Sequence, residues 1–157
     1  MTSSKPKPSD LDRISEVLPY LHIGSYGAAE NAEHLREREI THVICLLEEY
    51  PEAVASLPKL CIPMSDYGDS DLRQFLADAV PFIEGAQAAA GRVLVFCALG
   101  VNRSPALVAG YLRARLRYST AEALSALASS RPFVSIHQQY LAQLERLEAL
   151  RDEANPP

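Results

Sequence analysis

One stretch brings together a nucleophile, a permanent cation and a turn between them: Arg92-Val-Leu-Val-Phe-Cys97-Ala-Leu-Gly-Val-Asn-Arg103-Ser104-Pro105. A free thiol has a pKa near 8.5, so Cys97 needs surroundings that favour the thiolate before it can attack anything at neutral pH. The flanking residues supply them. Val93 to Phe96 is a short apolar, β-branched run that reads as a strand, and Ala106-Leu-Val-Ala-Gly-Tyr-Leu112 reads as a helix. Ser104 is the expected N-cap, with Pro105 at the first helical position, where a missing N–H costs nothing. The loop from Cys97 to Arg103 then turns its backbone N–H groups, and the positive end of a helix, into one small concavity. That is a site for a phosphate-like dianion, and the same field favours a thiolate at its edge. Arg103 can hold two phosphate oxygens with its planar fork. The amides of Ala98, Leu99, Gly100, Val101, Asn102 and Arg103 are placed to bind the others. The Ser104 hydroxyl can donate to the sulfur when it leaves.

Cleaving a phosphate ester also needs an acid for the departing oxygen. Ser65-Asp66-Tyr-Gly-Asp69-Ser-Asp71 is a polar loop with Gly68 as its hinge. Asp71 is the expected cap of the helix that follows, and Asp69 a solvated loop residue. Asp66 directly follows a strand, which makes it the best-positioned acid on a mobile loop beside the pocket.

These motifs resemble the cysteine-dependent protein tyrosine phosphatases, and within them the small dual-specificity branch. Cys97-x5-Arg103, with Gly100 in the loop and Ser104 after it, is similar to the family's signature loop. Ile62-Pro-Met-Ser-Asp66, then Asp71-Leu-x-x-Phe75 and Phe82-Ile83, is similar to its general-acid loop and following helix. Leu21-x-Ile-Gly24, Ile40-Thr-x-Val43 and Arg131-Pro132 through Gln143-Leu144 extend the likeness from about Val17 to Leu147. The resemblance implies a metal-independent protein phosphatase with no cofactor. Its substrate is a phosphoprotein, hydrolysed at phosphotyrosine and at phosphoserine or phosphothreonine through a phosphocysteine intermediate. It assigns catalysis to Cys97, Arg103, Asp66 and Ser104, with Asp66 protonating the leaving group and then activating water. A short chain implies a shallow pocket, and the uncharged Ala98, Leu99, Val101 and Asn102 argue against a highly anionic lipid as substrate.

Two positions depart from the family. Phe96 stands where the family has His, a residue thought to order the loop and keep the cysteine ionised. The alternative reading is therefore a pseudophosphatase that binds phosphoprotein with little turnover. Ile136-His137 stands where Pro-Asn is common, and His137 is expected to be structural. Arsenate reduction or sulfur transfer is a third reading, disfavoured by Asp66 and by the lack of a resolving cysteine near Cys97.

The elements that must hold these residues follow from periodicity. Ile14–Pro19 and Tyr20–Gly24 read as two strands, and Ser25–Arg38 as one amphipathic helix. Ile40–Leu47 and Leu60–Met64 read as further strands, with a loop of at most one helical turn between them. Leu72, Phe75, Leu76, Ala79, Phe82, Ile83 and Ala86 mark a long helix ended by Gly91, and Ser119-Thr-Ala-Glu122 is a capping box. Arg131-Pro132 breaks that helix before a last one carrying Tyr140, Leu141, Leu144 and Leu147. Arg113, Arg115 and Arg117 are expected to be solvated and to complement a helix C-terminus. The fold expected is α/β, a short central and largely parallel sheet flanked by helices. Residues 1–12 are expected to form a disordered arm, 13–152 a single catalytic domain and 153–157 a tail.

A net charge of −5 disfavours nucleic acid and anionic membranes as partners. Cys45, Cys61 and Cys97 are odd in number and widely spaced, which argues against a disulfide framework or a zinc site and suits a reducing compartment. With no apolar signal core and no run long enough to span a bilayer, the expectation is a soluble cytoplasmic protein, with the nucleus also open to it.

Overall fold

The run ahead of Cys97 is β5 (Val93–Cys97), the middle strand of a five-stranded sheet. The computed structural model describes residues 10–154, and side chains through residue 147. Beside β5 lie β2 (Leu21–Ser25) and β3 (His42–Cys45), both parallel to it, and β4 (Lys59–Cys61) is parallel to β3. β1 (Ser15–Leu18) closes the other edge antiparallel to β2, with a register shift between Glu16 and Leu18. The order is β1-β2-β5-β3-β4, so the sheet is largely parallel as expected.

Strand alternation splits β5 between two cores. Val93, Val95 and Cys97 face the larger core, with α3 (Leu72–Ala88), α4 (Arg103–Leu116), α5 (Thr120–Ser130) and α6 (Gln138–Ala154). Leu94 and Phe96 face a smaller one with α1 (Tyr26–Ala29) and α2 (Ala32–Glu37). α4 is buried from Ser104 through Arg113 and is the central pillar behind the loop.

Several local expectations change. The single helix over 25–38 is two, because Asn31 accepts from His34 N and starts a new helix rather than continuing the old one. α4 begins at Arg103 with Asn102 in the capping position, not Ser104; the Ser104 hydroxyl is engaged by the Cys97 sulfur instead. Pro105 still costs no hydrogen bond, since the first four N–H groups of a helix have no partner within it. Arg113 is buried rather than solvated, donating to the carbonyls of Leu144 (2.9 Å) and Tyr118 (2.9 Å). The turn after α3 uses Ala90 at φ 60° ahead of Gly91.

Of the expected N-terminal arm, residues 1–9 lie outside the described residues, but Asp10–Asp12 form an ordered 3-10 turn. Ser25 Oγ donates to Asp12 Oδ1 at 2.9 Å, which ties that turn to the sheet. At the other end α6 runs through Ala154, so only 155–157 of the expected tail remain, outside the described residues.

Candidate active site

The loop after β5 is a cup whose wall is fixed from outside. The carbonyls of its five residues all have partners. Ala98 O accepts from Tyr26 N (3.1 Å), Val101 O from Ser135 N (2.8 Å) and Asn102 O from Ala106 N (2.9 Å). Leu99 O and Gly100 O accept from the Arg131 guanidinium at 3.0 and 2.7 Å. In a trans peptide the N–H points opposite to the preceding C=O, and no peptide bond here is cis. Carbonyls 98–102 held outward therefore turn the N–H groups of residues 99–103 inward, the concave array that binds tetrahedral oxyanions. Gly100 makes the turn at φ 70°, and a Cβ there would lie 2.6 Å from Arg131 Nη2 and 2.8 Å from the Gly24 carbonyl. No other residue fits.

Cys97 forms the bottom of the cup. It is 1% exposed. Its Sγ lies 3.3 Å from Ser104 Oγ and accepts from Ser104 N at 3.4 Å. A backbone N–H and a hydroxyl from the first turn of α4 thus meet at the sulfur, the N–H as donor. Phe96 points to the opposite side of the sheet, fully buried in the smaller core, its ring edge-on to Tyr26 at 6.5 Å between centroids. Cys45 is a core thiol: burial raises its pKa and it donates to the Leu47 and Glu49 carbonyls. His22 is likewise structural, with Nδ1 on the Val93 carbonyl and its pKa lowered by burial.

Asp66 is brought to the rim. Its Oδ1 accepts from Asn102 Nδ2 at 2.8 Å and lies 3.2 Å from Arg103 Nε; its carbonyl accepts from the same Asn102 amide at 3.0 Å. Arg103 also reaches the Met64 carbonyl at 3.4 Å, so its guanidinium bridges the cup and the segment that carries Asp66. The loop itself is tied down from α6. Tyr140 Oη donates to the Ser65 carbonyl, and Gln143 Nε2 donates to the Ser70 (2.7 Å) and Gly68 (3.2 Å) carbonyls. Ser65 Oγ donates to Asp69, and that bond lowers the Asp69 pKa. Asp71 caps α3 as expected, accepting from Arg73 N at 3.0 Å. A cavity of about 590 Å³ lies behind this loop, lined by Asp71, Arg73, Gln143 and Arg146, and is separate from the cup.

Arg131 is the residue behind the cup that sequence reasoning did not place at the site, reading it as a helix break within a stretch of the family likeness. It is fully buried. Besides the two cup carbonyls, it donates to Leu11 O (2.5 Å), Arg13 O (2.8 Å) and Ser15 Oγ (2.9 Å). Burial lowers its pKa to about 10, partly offset by attraction to Cys97, so it remains a cation at neutral pH and adds positive charge behind the sulfur. The available signal was an arginine directly after a helix, inside the segment that carried the family likeness.

Residues 21–149 match the model of the dual specificity phosphatase catalytic domain. Dual specificity protein phosphatase 22 of Xenopus tropicalis is 30% identical over 132 residues, covering 84% of this chain and 63% of its own length. Human dual specificity protein phosphatase 5 is 30% identical over 135 residues, which cover 85% of this chain and 35% of that protein. The chain thus spans less than two thirds of the length of these relatives. Among solved structures, human DUSP28 is 27% identical at a TM-score of 0.82, covering 90% of this chain and 99% of its own. A mouse protein described as a dual specificity phosphatase and crystallised with zinc tungstate is 27% identical at a TM-score of 0.83, covering 98% and 96%. With the family's domain model spanning most of the described residues, and the cup, cysteine and arginine laid out at its centre, this protein belongs to the dual specificity phosphatase catalytic domain family.

Proposed function

We propose that the chain is a metal-independent protein phosphatase that acts on phosphotyrosine and on phosphoserine or phosphothreonine through a phosphocysteine on Cys97. The observation that carries this reading is the outward anchoring of carbonyls 98–102 around a sulfur that already accepts from Ser104. The Cys97 thiolate attacks phosphorus while the inward N–H groups and the Arg103 fork take the charge on the equatorial oxygens. The P–O bond to the leaving group breaks, and Asp66 gives that oxygen its proton. Asp66, now a carboxylate, takes a proton from the water that attacks the phosphocysteine. The P–S bond breaks, inorganic phosphate leaves, and the Ser104 hydroxyl donates to the departing thiolate.

The names of the relatives and the tungstate in the mouse structure, a tetrahedral oxyanion, support phosphoprotein as the substrate class. Tyr67, next to Asp66 in the chain, and Leu99, in the cup loop, are large side chains 77% and 56% exposed, available to contact a substrate protein. Three free thiols, one of them the nucleophile, suit a reducing compartment such as cytoplasm or nucleus. No helix among the described residues is long and apolar enough to cross a membrane.

One observation favours the second reading, a phospho-binding module with little turnover: Phe96 is apolar and turned away from the loop, so it offers the cup no hydrogen bond. The two readings separate on turnover of 4-nitrophenyl phosphate and of phosphotyrosine and phosphothreonine peptides in the presence of EDTA. Activity that is lost in Cys97→Ser supports the enzyme. No turnover, with Cys97 unreactive to iodoacetate near neutral pH, supports the binding module.

A further inference from the structure

Asn102 has a side chain that the proposed chemistry does not use, yet it is the most connected group at the rim. Its Nδ2 donates to both Asp66 Oδ1 (2.8 Å) and Asp66 O (3.0 Å), while its Oδ1 accepts from His137 N (2.6 Å). The amide orientation is therefore determined: reversing it would set a carbonyl against two oxygens and an NH2 against an N–H. His137 is anchored in turn, its Nδ1 accepting from Gln139 N (3.1 Å) and its carbonyl from Tyr140 N (2.9 Å) at the head of α6. One side chain thus joins the wall of the cup, the acid loop and the lead into α6.

We propose that Asn102 is a positioning residue for Asp66, holding the general acid over the cup by both its backbone and its carboxyl group. The inference rests on the proposed function and concerns how that acid is held. Arg103 cannot do this alone. Its Nε lies 3.2 Å from Asp66 Oδ1 without hydrogen-bond geometry, and in the reaction its fork serves the transferred phosphoryl group. Because Asn102 donates to Oδ1, the acid's proton is carried by Oδ2. Asp lacks the N–H pair and Ser lacks the reach to both partners, so neither replaces the amide.

A general acid matters most when the leaving oxygen is strongly basic, so single-turnover rates are compared on phenyl phosphate and 4-nitrophenyl phosphate. Removing the acid outright, in Asp66→Ala, is expected to cost on the order of 10²–10⁴-fold on phenyl phosphate. Asn102→Ala is expected to lose about 10-fold more on phenyl phosphate than on 4-nitrophenyl phosphate, part of that same contribution. The double variant Asn102→Ala/Asp66→Ala is expected to be no slower than Asp66→Ala, because the two residues act as one unit. Asn102→Asp keeps an acceptor for His137 N but cannot donate to Asp66, so its ester ratio should follow that of Asn102→Ala. Equal losses on the two esters, or losses that multiply in the double variant, would mean that Asn102 serves the cup and not the acid, and would overturn the proposal. If the unaltered protein turns over neither ester, the proposed function has failed. The positioning is then read from the crystal structure of Asn102→Ala, where Asp66 should leave its place at the rim; a carboxyl group that stays put refutes it.

Discussion

Replacing Arg131 by Met removes five donor contacts while roughly keeping volume, and the structure allows the cost to be bounded. Each hydrogen bond from a charged group contributes about 1.5–3 kcal/mol, but the five share one guanidinium and do not add. Leu11 O and Arg13 O lie near the surface, where water can replace the donor. The Gly100 carbonyl does not, since its bond to Arg131 is buried, and the part-buried Leu99 carbonyl is bonded beside it to the same guanidinium. Leaving a buried acceptor without its donor costs about 1–3 kcal/mol each, and for the Leu99 and Gly100 carbonyls together we take about 4 kcal/mol here. For a domain of this size each kcal/mol lowers Tm by about 2–4 °C, so a drop on the order of 10 °C is expected. Catalysis should fall further than stability accounts for. With carbonyls 99 and 100 released, the N–H groups of Gly100 and Val101 lose their inward aim, and one misplaced oxyanion donor costs about 10²-fold or more in rate. The assay is thermal unfolding together with kcat/KM on 4-nitrophenyl phosphate, measured well below the lowered Tm. Arg131→Lys, a point charge with three donors, should recover part of the stability and little of the rate. A Met variant that unfolds within about 3 °C of the parent and keeps its kcat/KM would refute this account of how the cup is held.

Three other outcomes follow from the geometry. Ser104→Ala removes the hydroxyl 3.3 Å from the sulfur that must leave in the second step, so 4-nitrophenyl phosphate should give a burst of phenolate followed by turnover slower by roughly 10- to 100-fold; unchanged steady-state rates without a burst would contradict the role. Phe96→His buries a ring with two nitrogens in the smaller core and should cost about 1–3 kcal/mol in urea unfolding while being at least as fast at neutral pH; a slower variant would contradict the expectation from the family departure. His22 is fully buried with its pKa lowered by burial, so below its unfolded value of about 6.5 the unfolded chain binds a proton that the folded one refuses, and stability falls as pH drops from there toward the folded pKa. In His22→Leu the stability difference from the parent should shift in the variant's favour as pH falls below about 6.5, and a difference independent of pH would show that His22 titrates alike in both states.

What could be read in the sequence was local. A β-branched run, a glycine and a helix start lie within one stretch around Cys97, and their order alone implies a cup with its sulfur at the bottom. Asp66 stood out as the carboxylate after an expected strand over 60–64, but β4 ends at Cys61, and Asp66 reaches the rim through Asn102 and Arg103 instead. What stayed hidden depends on distant partners. Arg131 finds its acceptors from 31 to 120 residues away, so nothing beside it marks it as more than a helix stop. Ser104 has the right type for an N-cap, but its hydroxyl sits against the Cys97 sulfur, and the helix starts two residues earlier. The side chain of Asn102 looked like a neutral filler because its partners, Asp66 and His137, lie 36 and 35 residues from it. Asp10–Asp12 sits in a polar, proline-bearing N-terminal stretch that suggests disorder, yet Ser25 and Arg131 hold it in place.

The central claim is that the phosphoryl group passes through the sulfur of Cys97. Rapid acid quench of the protein with a ³²P-labelled aryl phosphate, followed by peptide mapping, tests it directly. We expect label on Cys97 within the first turnover, more of it in Ser104→Ala, and none in Cys97→Ser. Turnover that proceeds with no label on that residue, or that survives in Cys97→Ser, would contradict the mechanism.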